Sequence, residues 1–202
     1  MSRPETGTFR IFRASPQDVP RVAGTIATSF QHLAFASWLV PDQARRLAVM
    51  EANMTIWAEF ALEHGMVDVI GDFDAVAVWF EQPSNAEPRD YQRRLDDACG
   101  PYAARFRQLD EMFAAHHPHE PHHHLAFAAV LPDWQGKGLG SALLNHHHTD
   151  NPGTACYLEA SSARSRELYR RHGYTPRKHY LALPDDGPLW WPMWRDPAGP
   201  SH

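Results

Sequence analysis

Cysteine is almost missing: Cys99 and Cys156 are the only two in 202 residues. They have neither metal-type spacing nor the density of a disulfide scaffold, so no such cross-link is expected to organise the fold. Cys156 sits in an apolar run and reads as packing. No apolar stretch approaches the roughly 20 residues of a membrane span, so no membrane partner is expected. Met1 to Gly7 lack the apolar core of a secretory leader, and the simplest expected location is the cytoplasm. Positive charge is also short, with a net charge of −5 and no basic stripe, which argues against nucleic acid. Two phosphate-binding signatures are absent as well. Nothing fits the Walker loop, and Gly136 to Ser141 lack the dinucleotide spacing and the βαβ context that goes with it.

What is there has globular proportions: 43% apolar and 21% charged residues, values of a folded chain with a substantial core. One domain over 1–202 is expected, with its core at about 9–195 and short flexible ends. Phe9 to Arg13 alternates as a half-buried strand. Ser15-Pro16-Gln17-Asp18 has the residues of a helix start, and the helix should reach about Ser29. Phe30 to Val40 is too apolar for an ordinary exposed loop. Pro41-Asp42 should open a second helix ending at Gly65. Met66 to Ile70 and Ala75 to Phe80 bracket a turn and read as a hairpin. Tyr91 to His116 reads as a long amphipathic helix with a break at Gly100-Pro101. Leu125 to Leu131 and Ala155 to Ala160 read as strands, as do Tyr174 to Leu183 and Leu189 to Arg195.

The most informative segment is Gln135-Gly136-Lys137-Gly138-Leu139-Gly140, placed between an apolar strand and the apolar run Ala142 to Leu144. Glycines let the backbone turn tightly and let a ligand approach its N–H groups. At a helix N-terminus those unpaired donors favour an anion, typically phosphate or pyrophosphate. Gln135, Gly138 and Gly140 fit the pattern Q-x-x-G-x-G. Downstream, Leu158-Glu159-Ala160-Ser161 leads through a helix to Tyr169-Arg170-Arg171-His172-Gly173-Tyr174.

These two strings, in this order, resemble the signatures of the GNAT superfamily of N-acetyltransferases. Further collinear strings narrow the likeness: Asp74 to Trp79, Pro118 to Pro121, Pro132 to Ala142 and Gly187 to Met193. Together they resemble the puromycin N-acetyltransferase branch. The resemblance implies a mixed α/β fold: a central, mostly antiparallel twisted sheet whose strands splay at the acyl-CoA site, flanked by helices. It implies an enzyme that transfers acetyl from acetyl-CoA directly to a primary amine of a small molecule, with antibiotic resistance as one setting, as a monomer or homodimer. A protein lysine or N-terminal acetyltransferase and a non-catalytic acyl-CoA-binding regulator are the alternatives.

The same resemblance assigns residues. Gln135, Gly136, Lys137, Gly138, Leu139, Gly140 and Ser141 would hold the pyrophosphate. Ala129, Val130 and Leu131 would pair with the pantetheine arm beside a β-bulge. Ser162 and Ser165 stand where relatives often carry asparagine on that arm. Tyr169 would be the general acid for the departing thiolate. The base is open between Glu159, in the string that matches the family, and His124, eleven residues before Gln135, imidazole being a side-chain type suited to taking a proton from an ammonium.

Six histidines fall between His116 and His124, and His146 to His148 follow in the next helix. Their spacing matches no zinc motif and the carboxylate or cysteine partners are missing nearby, so no metal is expected. Phe30, Phe35, Trp38 and Trp79 are the candidate acceptor-binding residues. An excess of aromatics around the lid points to an apolar or aromatic amine. Phe30 to Val40 contains no acidic residue to hold a polycation.

Overall fold

The structure, a computed structural model, describes residues 9–84, 86–177 and 180–199. The stretch Met1 to Gly7 read above lies outside them. Strand β1 (Ile11–Arg13) is followed by a helix start of the expected kind. The Asp18 carboxylate accepts from both the N–H and the hydroxyl of Ser15 at 2.8 Å. One 3₁₀ turn, Pro16–Asp18, then feeds α1 (Val19–Phe30). The apolar segment after it folds as a short helix, α2 (Ala34–Leu39), with Phe35, Ala36 and Leu39 buried. Asp42 caps α3 (Gln43–His64) by accepting from the Ala44 N–H. The hairpin β2 (Met66–Ile70) and β3 (Ala75–Gln82) follows as predicted. The long amphipathic stretch breaks at Gly100-Pro101 into α4 (Tyr91–Cys99) and α5 (Ala103–His116).

The second half alternates β4 (His122–Val130), α6 (Leu139–Asp150), β5 (Cys156–Ala160) and α7 (Ala163–Arg171). Gly173, at φ +85°, ends α7. The N–H groups of Gly173 and Tyr174 bond back to the carbonyls of Arg170 and Tyr169, a Schellman closure. The single strand expected over Tyr174 to Leu183 is instead two short pieces, β6 (Thr175–Pro176) and β7 (Leu181–Ala182), each pairing with β8 (Leu189–Arg195). Pro176 has no N–H with which to extend the ladder.

The sheet runs β1-β2-β3-β4-β5-β8-β6. Every pairing is antiparallel except β4 with β5. Helices cover both faces, which explains why Ala75 to Phe80 is buried throughout. Val76, Val78 and Phe80 face the cluster built by α1 to α5, whereas Ala75, Ala77 and Trp79 face α6 and α7. The expected acceptor role of Trp79 is therefore wrong. Strand alternation turns it away from the lid, fully buried, with its ring stacked 3.7 Å from that of His147.

β4 does not alternate cleanly. Val78 pairs with Phe127 and Trp79 with Leu125, so Ala126 is an extra residue, a β-bulge. The bulge reverses the parity of the strand. His124 before it and Phe127 and Ala129 after it therefore project to one face, although the first two are an odd three positions apart.

Beneath the other face, His123 Nδ1 lies 2.9 Å from His147 Nε2, and His148 Nε2 lies 3.0 Å from the Tyr174 hydroxyl. Burial, reinforced by positive neighbours, pushes His147 down to about 3 and His148 to about 4. Their unfolded counterparts titrate near 6.5, so unfolding takes up protons below that pH. The stability that these two histidines carry is present above about pH 6.5 and is lost as pH falls toward 4. Urea unfolding at pH 7.5 and pH 5 should show a loss on the order of 1–2 kcal/mol for each of the two. His147→Gln should flatten the pH dependence. An equally steep profile in that variant would rule the histidine out as its source.

Candidate active site

β4 and β5 pair at only two positions, His123 with Cys156 and His124 with Tyr157. Beyond them the strands part. The gap opens into a cavity of about 1080 Å³ that reaches from the glycine-rich turn to the face covered by α1 to α5. The backbone of β4 is divided between its two sides. Leu131 donates to the Asp74 carbonyl at 2.9 Å, and antiparallel alternation then commits Ala129 and Phe127 to β3. Ala128 and Val130 therefore turn their backbone groups toward the gap, where the Gln135 side chain donates to the Val130 carbonyl at 3.1 Å. Of the three residues expected to line this path, only Val130 does so. Ala129 is buried in the cluster under α1 to α5 and Leu131 lies against α1, because their backbone is spent on β3 and the turn before it.

The turn from β4 to α6 has the geometry its glycines predict. Gly136 and Gly138 hold φ +79° and +90°, and Gly138 caps the helix. A Cβ at either position would meet nothing within 4 Å, so the space beside this backbone is open to a ligand. Gln135, Gly136, Gly138, Leu139, Gly140 and Ser141 all line the cavity. Lys137 does not; its ammonium lies 4.4 Å over the Trp134 ring. Ser162 and Ser165 reach the cavity, but they also cap α7: each side chain accepts from the other's N–H at 3.1 Å. Arg164 and Arg171 add positive charge at this end. The residues present fit a pyrophosphate-bearing cosubstrate lying across the turn.

At the mouth of the split, His124 Nε2 lies 2.9 Å from Glu159 Oε2. The Glu159 side chain is 5% exposed and that of His124 16%. Burial is the strongest single influence and would raise the Glu159 carboxyl, but charge and hydrogen bonding from His124, with His117 and Tyr157, together outweigh it and hold the carboxyl below the usual range. Tyr157, two residues before Glu159 on the same strand face, lies beside this pair, its phenol raised by burial. Tyr169 projects from α7 into the same cavity, and burial raises its phenol too, which keeps its proton on at neutral pH.

Sequence reading missed His117. It follows α5 directly, and its ring centroid lies 4.8 Å from that of His124. Burial pushes it down to about 4, which leaves it neutral at physiological pH. Nothing in the spacing of six histidines distinguished this one; the turn from α5 into β4 selects it.

The end of the cavity away from the glycine turn is walled by aromatic side chains. Phe30 and Phe35 line it, joined by Trp57, Phe113, Phe127 and Trp190. Trp38 does not. It sits on the outward side of α2, where its indole donates to the Pro184 carbonyl at 3.2 Å and the Arg105 guanidinium lies 5.2 Å over its ring. Asp110, on α5, also lines this end and accepts from the Tyr91 hydroxyl at 2.6 Å. The acidic side chain absent from the lid thus comes from a helix distant in sequence.

A family model for the acetyltransferase (GNAT) domain matches residues 104–176. Among solved structures, the chain is 30% identical to a protein of Corynebacterium glutamicum described as histone acetyltransferase HPA2 and related acetyltransferase. That match has a TM-score of 0.73 and covers 96% of this chain and 99% of the other. Arylalkylamine N-acetyltransferase 2 of Aedes aegypti matches at 13% identity and TM-score 0.59, over 94% and 99% of the two chains. The PaiA N-acetyltransferase of Thermoplasma acidophilum, solved with coenzyme A, matches at 10% and 0.58, over 93% and 98%. The last two likenesses show the fold alone. With the splayed sheet and the glycine turn already in place, the first match shows that this chain belongs to the GNAT acetyltransferase family. It is an acetyl-CoA-dependent N-acetyltransferase.

Gly138 offers a direct test of the turn. At φ +90° an alanine costs about 1–2 kcal/mol of backbone strain with no steric clash. Gly138→Ala should weaken acetyl-CoA binding roughly tenfold by calorimetry. Gly140→Ala, inside α6 with only ordinary contacts to Leu168 and Val130, should leave thermal stability nearly unchanged.

Proposed function

We propose that the chain acetylates a primary amine of a small molecule with an apolar or aromatic body, an antibiotic or natural-product intermediate being the kind of compound that suits it. The observation that carries this reading is a single cavity that combines the glycine turn, the His124–Glu159 pair, Tyr169 and the aromatic wall. Acetyl-CoA supplies a thioester, whose acyl carbon is the electrophile and whose sulfur leaves as thiolate.

His124 is the base and Glu159 its positioning residue. The carboxylate is buried and bonded to Nε2, so it holds the ring proton there and leaves the Nδ1 lone pair to take the amine's proton. Glu159 also stabilises the imidazolium that forms. Ala128 and Val130 offer backbone donors on the side where β4 parts from β5, suited to charge developing on an acyl oxygen. Tyr169, across the cavity beside the glycine turn, gives its phenolic proton to the thiolate.

A protein-acetylating activity is the second reading, favoured by the description of the C. glutamicum relative. Thiol release from acetyl-CoA against arylalkylamines, aminoglycosides, polyamines, puromycin and lysine peptides separates the two. Turnover confined to lysine peptides would overturn the small-molecule reading. With an active amine, Tyr169→Phe should lower kcat by about 10²-fold or more while acetyl-CoA Kd stays constant. His124→Gln should do the same to kcat. An undiminished kcat in either variant would remove that residue from the mechanism.

A further inference from the structure

His117, His124 and Glu159 come from three separate segments: the turn after α5, strand β4 and strand β5. One nitrogen of each imidazole and one oxygen of the carboxylate lie within 4.8 Å of one another. All three residues line the cavity and none is fully exposed. His117 Nε2 is buried with no hydrogen-bond partner, and Glu159 Oε1 is buried with none but the nearby Tyr157 hydroxyl to turn to. Buried polar atoms are seldom left so, and an ion bound between the His124 and Glu159 side chains would give His117 Nε2 the partner it lacks.

We propose that these three side chains form a binding site for a divalent ion of the zinc class, with its fourth position open to the cavity. Two imidazoles and one carboxylate with a free position is a donor set that zinc takes in tetrahedral geometry, whereas magnesium and calcium favour oxygen alone. Bonds of about 2.1 Å at tetrahedral angles set ligand atoms about 3.4 Å apart. The His124–Glu159 separation of 2.9 Å needs only to widen slightly. His117 closes the remaining distance from a turn between two elements, where side-chain movement disturbs no strand pairing. Hydrogen bonding between His124 and Glu159 and coordination are alternatives for the same atoms.

The ion binds independently of the catalytic reading; its consequence rests on that reading. With metal on Nε2, the neutral His124 ring carries its proton on Nδ1, the nitrogen proposed to accept the proton of the amine. Ion binding and acetyl transfer therefore exclude each other, and the metal acts as a reversible inhibitor.

The test uses the full chain, free of any affinity tag, stripped with chelator and titrated with Co²⁺ in the absence of acetyl-CoA. The expected result is one saturable equivalent with the intense visible bands of four-coordinate cobalt, bleached by Zn²⁺. His117→Asn should weaken binding by more than about tenfold, a loss already typical of removing a partner outside the coordination shell. Glu159→Gln should do likewise. His146→Asn, which alters a histidine outside the cluster, should leave the cobalt spectrum unchanged. Circular dichroism checks that each variant folds; if the buried Glu159 variant does not, the His117 variant decides. No saturable equivalent, weak six-coordinate bands, or unaltered affinity in His117→Asn would overturn the site. In a chain with measurable transfer, Zn²⁺ should abolish turnover in proportion to occupancy. Full turnover at full occupancy would overturn the inhibitory role while leaving the transferase reading intact.

Discussion

Strands β4 and β5 hydrogen-bond at two residue pairs and then separate, and the site exists because they do. A sheet paired to its end would satisfy the backbone of Ala128 and Val130 internally and leave no channel between the glycine turn and the acceptor wall. The two pairs that remain are as important as those that are missing. They fix His124 beside Tyr157 at the point of divergence, so the carboxylate of Glu159, two residues further along β5, reaches the imidazole at 2.9 Å. The opening and the chemistry at its mouth are thus one feature of the sheet.

The bulge at Ala126 is the second constraint. A regular strand would carry His124 to the same face as Ala126, Ala128 and Val130. The extra residue brings it onto the face of Phe127 and Ala129, the side that carries the aromatic acceptor wall. Such a bulge occupies one residue and costs one ladder position, yet it decides whether His124 and the aromatic wall share a compartment. On the opposite face Trp79 stacks on His147, with His123 bonded to it, inside a second apolar cluster. It anchors α6 under the sheet and so holds the N-terminus of that helix, with its glycine turn, against the gap.

Electrostatics divides the cavity along its length. Arg164 and Arg171 stand at the end where α6 and α7 begin and finish, while Asp110 and Glu159 lie toward the acceptor and the split. This polarity suits an anionic cosubstrate entering at one end and an amine at the other. Asp110 comes from α5, where its carboxyl is raised to about 6 by burial while the Tyr91 hydroxyl bonds to it.

Much of this was legible in the sequence, for identifiable reasons. The glycine turn, the helix starts at Ser15 and Asp42, the break at Gly100-Pro101 and the αL stop at Gly173 are local, and each is set by the backbone freedom or capping capacity of one or two residues. The family resemblance rested on those same local strings, and Tyr169, Glu159 and His124 came with it. The facing of side chains was not legible. Trp79 and Trp38 are as aromatic as Phe30 and Phe35, but strand parity and the outward side of a short helix turned them elsewhere. Ala129 and Leu131 were lost to the channel because their hydrogen bonds went to β3 and the turn before it, more than 50 residues earlier in the chain. His117, one histidine among many, joined His124 and Glu159 only when a turn, two strands and their separation met in space. The sequence determined the elements and the type of cosubstrate because turns and caps are short-range. The tertiary structure alone decided which side chains share the cavity, because that depends on bulge, register and splay, which are relations between segments far apart in the chain.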